Sequence, residues 1–253
     1  IGYAEIIVGT SGNDVINGNG GYYDAIYGED GDDVINGGYG FDHLRGGAGD
    51  DIVYGFDGND RLTGGSGNDL LDGGNGVDLA IYGRAAAGVI VDLSAGEATD
   101  DGDGGHDTLI SIEDVRGSAH ADLITGDSGN NRILGRSGDD VLNGGLGDDL
   151  LWGQDGADTF AFDSFDEGND FIFAFESSQD KLAFKDILDV GNDGSILDDV
   201  QAEIFSIVDP GAGFDVEITF NDGGILRLGG IGTGSIMDIS DVVADPATQI
   251  VTF

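Results

Sequence analysis

Bulky apolar residues return along this chain at an interval of nine. Ile16, Ile26, Ile35, Leu44, Val53, Leu62, Leu71 and Ala80 form one series; Ile124, Ile133, Leu142, Leu151 and Phe160 form a second. The only irregular step within a series is one extra residue in Gly21-Tyr22-Tyr23. Such a period fits neither an amphipathic helix nor a simple alternating strand. It reads as a stacked solenoid. Each apolar residue is the middle of a three-residue segment, which predicts a short strand with one large side chain turned inward. Two such segments per coil would hold a thin apolar core between two sheets. Strands of successive coils would lie about 4.8 Å apart, so the eight units of the first series would make a stack on the order of 20 Å long.

The six residues before each strand are polar and rich in glycine. Their first position is Gly in all thirteen units: Gly9, Gly18, Gly28, Gly37, Gly46, Gly55, Gly64 and Gly73, then Gly117, Gly126, Gly135, Gly144 and Gly153. The fourth is Gly except at His120. The sixth is Asp14, Asp24, Asp33, Asp42, Asp51, Asp60, Asp69 and Asp78, then Asp122, Asn131, Asp140, Asp149 and Asp158. Glycine lets a short segment curl tightly, turning backbone carbonyls inward. Asp adds a hard, charged oxygen. Calcium takes six to eight oxygens at about 2.3–2.6 Å, a shell that carbonyls and carboxylates of neighbouring turns can supply. The sixth column is therefore the candidate set of metal ligands. A disordered Gly/Asp tract would not keep the eighth column apolar throughout.

The unit Gly-x-x-Gly-x-Asp-x-U-x, with U bulky and apolar, resembles the nonapeptide of the RTX (repeats-in-toxin), hemolysin-type calcium-binding proteins. Its fullest copies are Gly64-Gly65-Ser66-Gly67-Asn68-Asp69-Leu70-Leu71-Asp72 and Gly144-Gly145-Leu146-Gly147-Asp148-Asp149-Leu150-Leu151-Trp152. The resemblance implies an all-β fold, a parallel β-roll or calcium-bound right-handed β-solenoid, here in two stacks with a small β-rich C-terminal cap. It also implies several bound calcium ions, secretion to the extracellular space, and recognition by a type I secretion apparatus.

Charge agrees with a cationic partner. The chain has 253 residues, 50 Asp plus Glu against 9 Lys plus Arg, and a formal net charge of −41. Such charge opposes compaction without counter-ions. No basic patch is legible in the sequence, so nucleic acid is not an expected partner. Counting ions between units stacked on the same side gives roughly six in the first stack and three in the second; their charge would offset much of the repulsion. With no cysteine, disulfides contribute nothing and the redox compartment cannot be read. Calcium would take their place as the staple of a thin core. No apolar run reaches the roughly 20 residues of a transmembrane helix.

Four segments are expected. Residues 1–82 hold a leading strand, Glu5–Val8, and the first stack. Residues 83–116 form a spacer, with a strand near Val89–Leu93 and an acidic loop. Counted back from Gly117, residues 108–116 make a degenerate unit, with Glu113 in the acidic column and Val115 in the apolar one. Residues 117–162 form the second stack. Residues 163–253 lose the glycine grid and gain aromatics. Strands are predicted at Phe171–Phe175 and Lys181–Phe184, a hairpin at Val216–Phe220 and Ile225–Leu228, and short helices at Asp186–Val190 and Ser235–Val243. This tail is expected to be an end cap, and by resemblance an export domain. Because the first residue is Ile1 and the grid begins within ten residues, the chain is expected to be the C-terminal part of a larger protein.

Other constellations are weaker. Gly126-Asp127-Ser128-Gly129 matches a serine-protease tetrapeptide, but it is also positions one to four of a repeat, and the histidines His43, His106 and His120 are scattered. No catalytic residues are assigned, and any catalytic domain is expected upstream. Asp189–Gly194 resembles an EF-hand loop but lacks a ligand at its third position and carries Val200 where the bidentate Glu belongs. Asp100, Asp101 and Asp103 fit an extra calcium site or a solvated turn equally. Tyr22, Tyr23, Tyr27, Tyr39 and Tyr54 would suit either a glycan-binding face or plain cover for strands. The leading expectation is thus a calcium-binding module that folds after type I secretion; a calcium-dependent adhesive or glycan-binding module is the alternative.

Overall fold

The computed structural model describes residues 4–162, 168–176, 179–184, 204–208, 216–220, 225–228, 243–245 and 250–252. The fold is an all-β parallel β-roll, with no helix among the described residues. The chain divides into two compact units, Ile1–Ile124 and Thr125–Phe253.

The first unit contains β1 (Glu5–Val8), β2 (Val15–Asn17), β3 (Asp24–Asp30), β4 (Val34–Gly40), β5 (His43–Ala48), β6 (Ile52–Gly58), β7 (Arg61–Ser66), β8 (Leu70–Asn75), β9 (Leu79–Ile81), β10 (Ile90–Asp92), β11 (Glu97–Asp100), β12 (Asp107–Ile110) and β13 (Asp114–Arg116). Successive repeats alternate between two sheets. One is ordered β1-β3-β5-β7-β9-β13, the other β2-β4-β6-β8-β12-β11-β10. Parallel partners are two repeats apart: Ile26 lies opposite Leu44, Leu44 opposite Leu62, and Ile35 opposite Val53. This register stacks the eighth column in line. Ile26, Ile35, Leu44, Val53, Leu62, Leu71 and Ala80 are fully buried between the sheets. Their neighbours on either side in sequence point outward, as strand alternation requires.

The spacer departs from expectation. Thr108 pairs with Leu70 and Leu109 with Leu71, so residues 102–110 form another full rung on β8. Their sequence, Gly102-x-x-Gly105-x-Asp107-x-Leu109-x, fits the unit. The next rung puts Val115 opposite Ala80, with Val115 fully buried and the Asp78 N–H donating to Glu113 Oε2 at 2.8 Å. Glu113 and Val115 therefore occupy the expected columns. The turn before them, however, is three residues short, because 108–110 belong to the rung before. The true interruption is 82–101. It contributes the antiparallel pair β10–β11, with Val91 and Ala98 buried.

The strand β14 (Leu123–Thr125) crosses the boundary between the units. The second unit contains β15 (Arg132–Ser137), β16 (Val141–Asn143), β17 (Leu150–Asp155), β18 (Thr159–Phe162), β19 (Asn169–Phe173), β20 (Lys181–Phe184), β21 (Ile204–Val208), β22 (Val216–Phe220), β23 (Ile225–Leu228), β24 (Val243–Asp245) and β25 (Ile250–Thr252). Parallel stacking continues past the thirteenth unit. Leu151 pairs with Ile172 and Phe160 with Leu182, all four fully buried. Two further rungs thus lie in the tail. Beyond them β23 still pairs in parallel with β19, and the rest is antiparallel: β22 and β21 follow β23 in one sheet, and β25-β24 extends the other. The β22–β23 hairpin is the one predicted. The helix predicted at Asp186–Val190 lies outside the described residues. So does the one at Ser235–Val243, except Val243, which begins β24.

Candidate metal centre

Nearly every turn ends in a buried carboxylate, with Asn131 an amide and Asp14 half-buried, and in most of them one oxygen is committed and one directed elsewhere. The committed oxygen, Oδ1, accepts the backbone N–H of the sixth-position residue one coil earlier. Along one row of the first unit Asp24, Asp42 and Asp60 donate in turn to Asp42, Asp60 and Asp78, each at 2.7 Å. Along the other, Asp14, Asp33 and Asp51 donate to Asp33, Asp51 and Asp69, each at 2.8 Å. The row continues with the Asp69 N–H on Asp107 Oδ1 at 3.1 Å. At Asp122 the donor is Val89 N–H at 2.9 Å, so the interrupting segment takes the place of a preceding coil. In the second unit Asn131 donates to Asp149 (2.8 Å), Asp140 to Asp158 (3.0 Å), Asp149 to Asp170 (3.0 Å) and Asp158 to Asp180 (3.1 Å). Asp107, Asp170 and Asp180 are members of the columns that the thirteen-unit reading missed.

The other oxygen divides the column in two. Oδ2 of Asp33, Asp42, Asp51, Asp60, Asp69 and Asp78, and of Asp140, Asp149 and Asp158, is buried with no hydrogen-bond partner. Where a run begins, the carboxylate or amide is satisfied by its own turn instead. Asp14 Oδ2 accepts Thr10 N–H at 2.6 Å, Asp24 Oδ2 accepts Asn19 N–H at 3.2 Å, Asp122 Oδ2 accepts Ser118 N–H at 2.7 Å, and Asn131 Oδ1 accepts Asp127 N–H at 2.9 Å. Asp107 Oδ2 receives the Tyr82 hydroxyl at 3.2 Å. A buried anionic oxygen without a donor is costly unless a cation or proton meets it.

The glycines make room for these oxygens. A Cβ on Gly64 would fall 2.1 Å from Asp69 Oδ2, and one on Gly47, where φ is +138°, would fall 1.8 Å from the Glu29 carbonyl. The first position is thus the floor of a cradle for the carboxylate, and the second must lie against the preceding turn. Burial, chiefly, pushes the carboxyls of Asp51, Asp60, Asp69 and Asp107 up to about 7 and those of Asp78, Asp149 and Asp158 up to about 6, with like charges along the columns adding to the rise. Among the described residues no three His, Asp or Glu side chains converge at metal-ligand geometry. A cation here would meet one or two carboxylate oxygens and draw the rest of its shell from turn carbonyls, a donor set of hard oxygens that suits calcium. The residues present fit that ion.

The remaining candidates resolve differently. Ser128 is exposed in its turn, where Asp127 Oδ1 accepts the Gly129 N–H at 2.7 Å; its neighbours make repeat contacts. Asp100 Oδ1 takes Gly102 N–H as a turn acceptor. Asp101 Oδ1 takes the N–H groups of Asp103 and Gly105, while its Oδ2 is buried with no hydrogen-bond partner, as in the column carboxylates. Asp103 is exposed and accepts Ala86 N–H. Tyr27 and Tyr54 lie on strands of opposite sheets, while Tyr22, Tyr23 and Tyr39 are exposed, so the five tyrosines do not share one face. Asp189–Gly194 lies outside the described residues. One expectation is overturned. A basic cluster does exist: His43 is held below its ordinary pKa by burial and then by the positive charges of Arg61, Arg84 and Arg45.

The crystal structure of the extracellular lipase LipA from Serratia marcescens is similar, with 21% identity, 97% of this chain and 40% of the lipase chain covered, and a TM-score of 0.28. This chain therefore spans less than half of the lipase's length. No curated protein matches the chain. The profile of the RTX calcium-binding nonapeptide repeat matches residues 2–21, 27–55, 54–84, 116–151 and 134–172, together more than half of the sequence. With the repeat, its register and its buried carboxylate columns all in place, the chain belongs to the RTX calcium-binding nonapeptide repeat family.

Proposed function

We propose that this chain is the calcium-dependent folding and export module of a larger extracellular bacterial protein that leaves the cell by type I secretion. An RTX repeat roll is typically a non-catalytic structural module, and its calcium binding is a property of the family. The observation that carries the reading is the row of nine partnerless, buried Oδ2 atoms. Each is an unpaid charge until a cation arrives, and they fall six in the first run and three in the second.

The sixth-column residues divide into two roles on this reading. Asp33, Asp42, Asp51, Asp60, Asp69, Asp78, Asp140, Asp149 and Asp158 ligate ions directly. Asp14, Asp24, Asp122 and Asn131 close the turns that begin each run, and any ion near them is held more weakly. Where calcium is scarce, the columns repel and the glycines favour an open chain that a narrow channel can pass. Outside, calcium at about 10⁻⁴–10⁻³ M fills the turns, and binding becomes folding free energy. The tail strands that extend both sheets serve as a cap that keeps the last parallel rung from being an open edge. The residues from Gln249 carry the export signal; Gln249 itself lies outside the described residues.

The test separates folding from export. The chain is produced with a type I apparatus, with and without residues 249–253. Both forms are expected to become protease-resistant in calcium, and only the intact form to reach the medium. Equal export of the two forms would reject the export assignment and leave a calcium-folding module alone.

A further inference from the structure

The interrupting segment also builds a cavity. Tyr82, Arg84 and Asp101 stand on one side of it. The outer surface of β3, β5 and β7 stands on the other, and together they enclose 310 Å³ within the first unit. Parallel register places Tyr27, Arg45 and Thr63 side by side across those three strands. His43 and Arg61 are paired in the same way two residues earlier, on the same outward face. Arg84 arrives from the interrupting segment. Three of the nine basic residues of a chain carrying −41 are thereby gathered in one place.

These guanidiniums are idle. Among the described residues no hydrogen bond or ion pair engages Arg45, Arg61 or Arg84, and Arg45 Nε is buried with no acceptor. A buried, unmatched N–H is costly, and none of the carboxylates among the described residues accepts it, although the chain has fifty. The cavity wall also holds the opposite deficiency. Asp101 is 1% exposed, and its Oδ2 has no donor. Glu29, Asp30 and Asp103 line the same space. One wall therefore lacks an acceptor for a guanidinium, and the other lacks a donor for a carboxylate.

Few ligands satisfy both. A metal ion would meet Asp101 but leave the guanidiniums without an acceptor. A small inorganic anion would meet Arg45 but face four carboxylates. A neutral sugar would supply hydroxyl donors but only neutral, weaker acceptors for the guanidiniums. We propose that this cavity binds a sugar acid, its carboxylate held by Arg45 and Arg84 and its ring hydroxyls donating to Asp101 and the neighbouring acids. Guanidinium forks match carboxylates bidentately, and the Tyr27 ring offers an apolar surface to the sugar's C–H face. The site needs the folded roll as its scaffold. It needs neither export nor the second unit.

The test is calorimetric titration of the full chain in saturating calcium with D-glucuronate, D-glucose, acetate and sulfate. Glucuronate is expected to bind one per chain, and the other three at least about tenfold more weakly. Arg84→Gln, a change at an exposed residue outside the repeats, is expected to lower glucuronate affinity by about tenfold and to leave the calcium-induced circular dichroism transition in place; Arg45→Gln should do the same to affinity. Glucose binding as tightly as glucuronate would overturn the proposal, and acetate or sulfate doing so would reduce the site to a simple anion trap. Absence of glucuronate binding by the folded chain, or unchanged affinity in both arginine variants, would also overturn it. The dichroism transition reports calcium folding independently, so failure here is distinct from failure of the calcium-module reading.

Discussion

The backbone N–H of Asp69 donates to Oδ1 of Asp107 at 3.1 Å, across an interval of 38 residues where the regular coils use 18. The column therefore runs straight past the interruption, and Asp107 belongs to the first stack. Asp107→Ala should leave the Asp69 N–H buried without its acceptor, a loss of about 1–3 kcal/mol. The calcium midpoint for folding should rise accordingly. Asp57→Ala, which removes only an exposed contact from Asn75, should leave the midpoint in place. Calcium titrations followed by circular dichroism compare the two, and equal midpoints would remove Asp107 from the column.

The division of the Oδ2 atoms makes a second prediction. Asp60→Asn keeps the Oδ1 acceptor for Asp42 N–H but replaces a partnerless carboxylate oxygen with an amide. Asp14→Asn alters an oxygen already taken by the Thr10 N–H and hydroxyl. Competition with a chromophoric chelator should show the first variant losing high-affinity calcium and the second keeping its full stoichiometry. The loss should spread to neighbouring sites, because coupling in a solenoid runs between adjacent coils. Equal stoichiometry in the two variants would contradict the assignment.

Acid should act in opposite directions on the metal-free and calcium-loaded chains. In the metal-free fold burial raises Asp51, Asp60 and Asp69 to about 7, and Asp78, Asp149 and Asp158 to about 6, from 3.8. The fold then binds protons more tightly than the unfolded chain. The stability contributed by these protons is fully present below 3.8 and is lost as pH rises through 6 to 7. In chelator, β structure should therefore increase on acidification from about pH 8 to about pH 5. Apparent calcium affinity should fall over the same range, because each ion must displace protons. A chelated chain whose dichroism does not change with pH would contradict this account of the columns.

The second turn position supplies a stabilising change. Glu29, Phe56, Arg136 and Gln154 hold positive φ there, where five other units have glycine. At Gln154 φ is 76°, and the side chain is exposed. Left-handed backbone costs a non-glycine residue about 1–2 kcal/mol, of which glycine's extra unfolded entropy returns roughly half. Gln154→Gly should raise the thermal midpoint of the calcium-loaded chain modestly. The emission of Trp152, the single tryptophan, stacked on Phe173 with ring centroids 4.2 Å apart, reports melting of that unit. A lowered midpoint would mean that the Gln154 side chain itself contributes.

Much of this architecture is legible from one sequence because each column is a residue type at a set spacing. The inward row of Ile26, Leu44 and Leu62 needs no tertiary information. Residues 102–110 escaped because counting back from Gly117 assigns 108–110 to the following unit; the shortened turn before Glu113 hides the true register. The rungs ending in Ile172 and Leu182 escaped because Phe165 and Phe175 stand where the first glycine belongs. Which carboxylates keep a free oxygen depends on whether their own turn folds back on them, as at Asp24 and Asp122, and spacing does not encode that. The arginines are distant in sequence, and only strand register and the path of residues 82–101 bring Arg45, Arg61 and Arg84 together.

The central claim is that cation binding completes this fold. Its most direct test is far-ultraviolet circular dichroism of the intact chain, taken from chelator into calcium, with Trp152 emission recorded alongside. The account predicts a largely coil spectrum in chelator near neutral pH, a cooperative gain of β signal in calcium up to the millimolar range, and a far smaller response to magnesium, which demands a compact octahedral shell and keeps its waters. A chain that is equally folded in chelator and in calcium would contradict it.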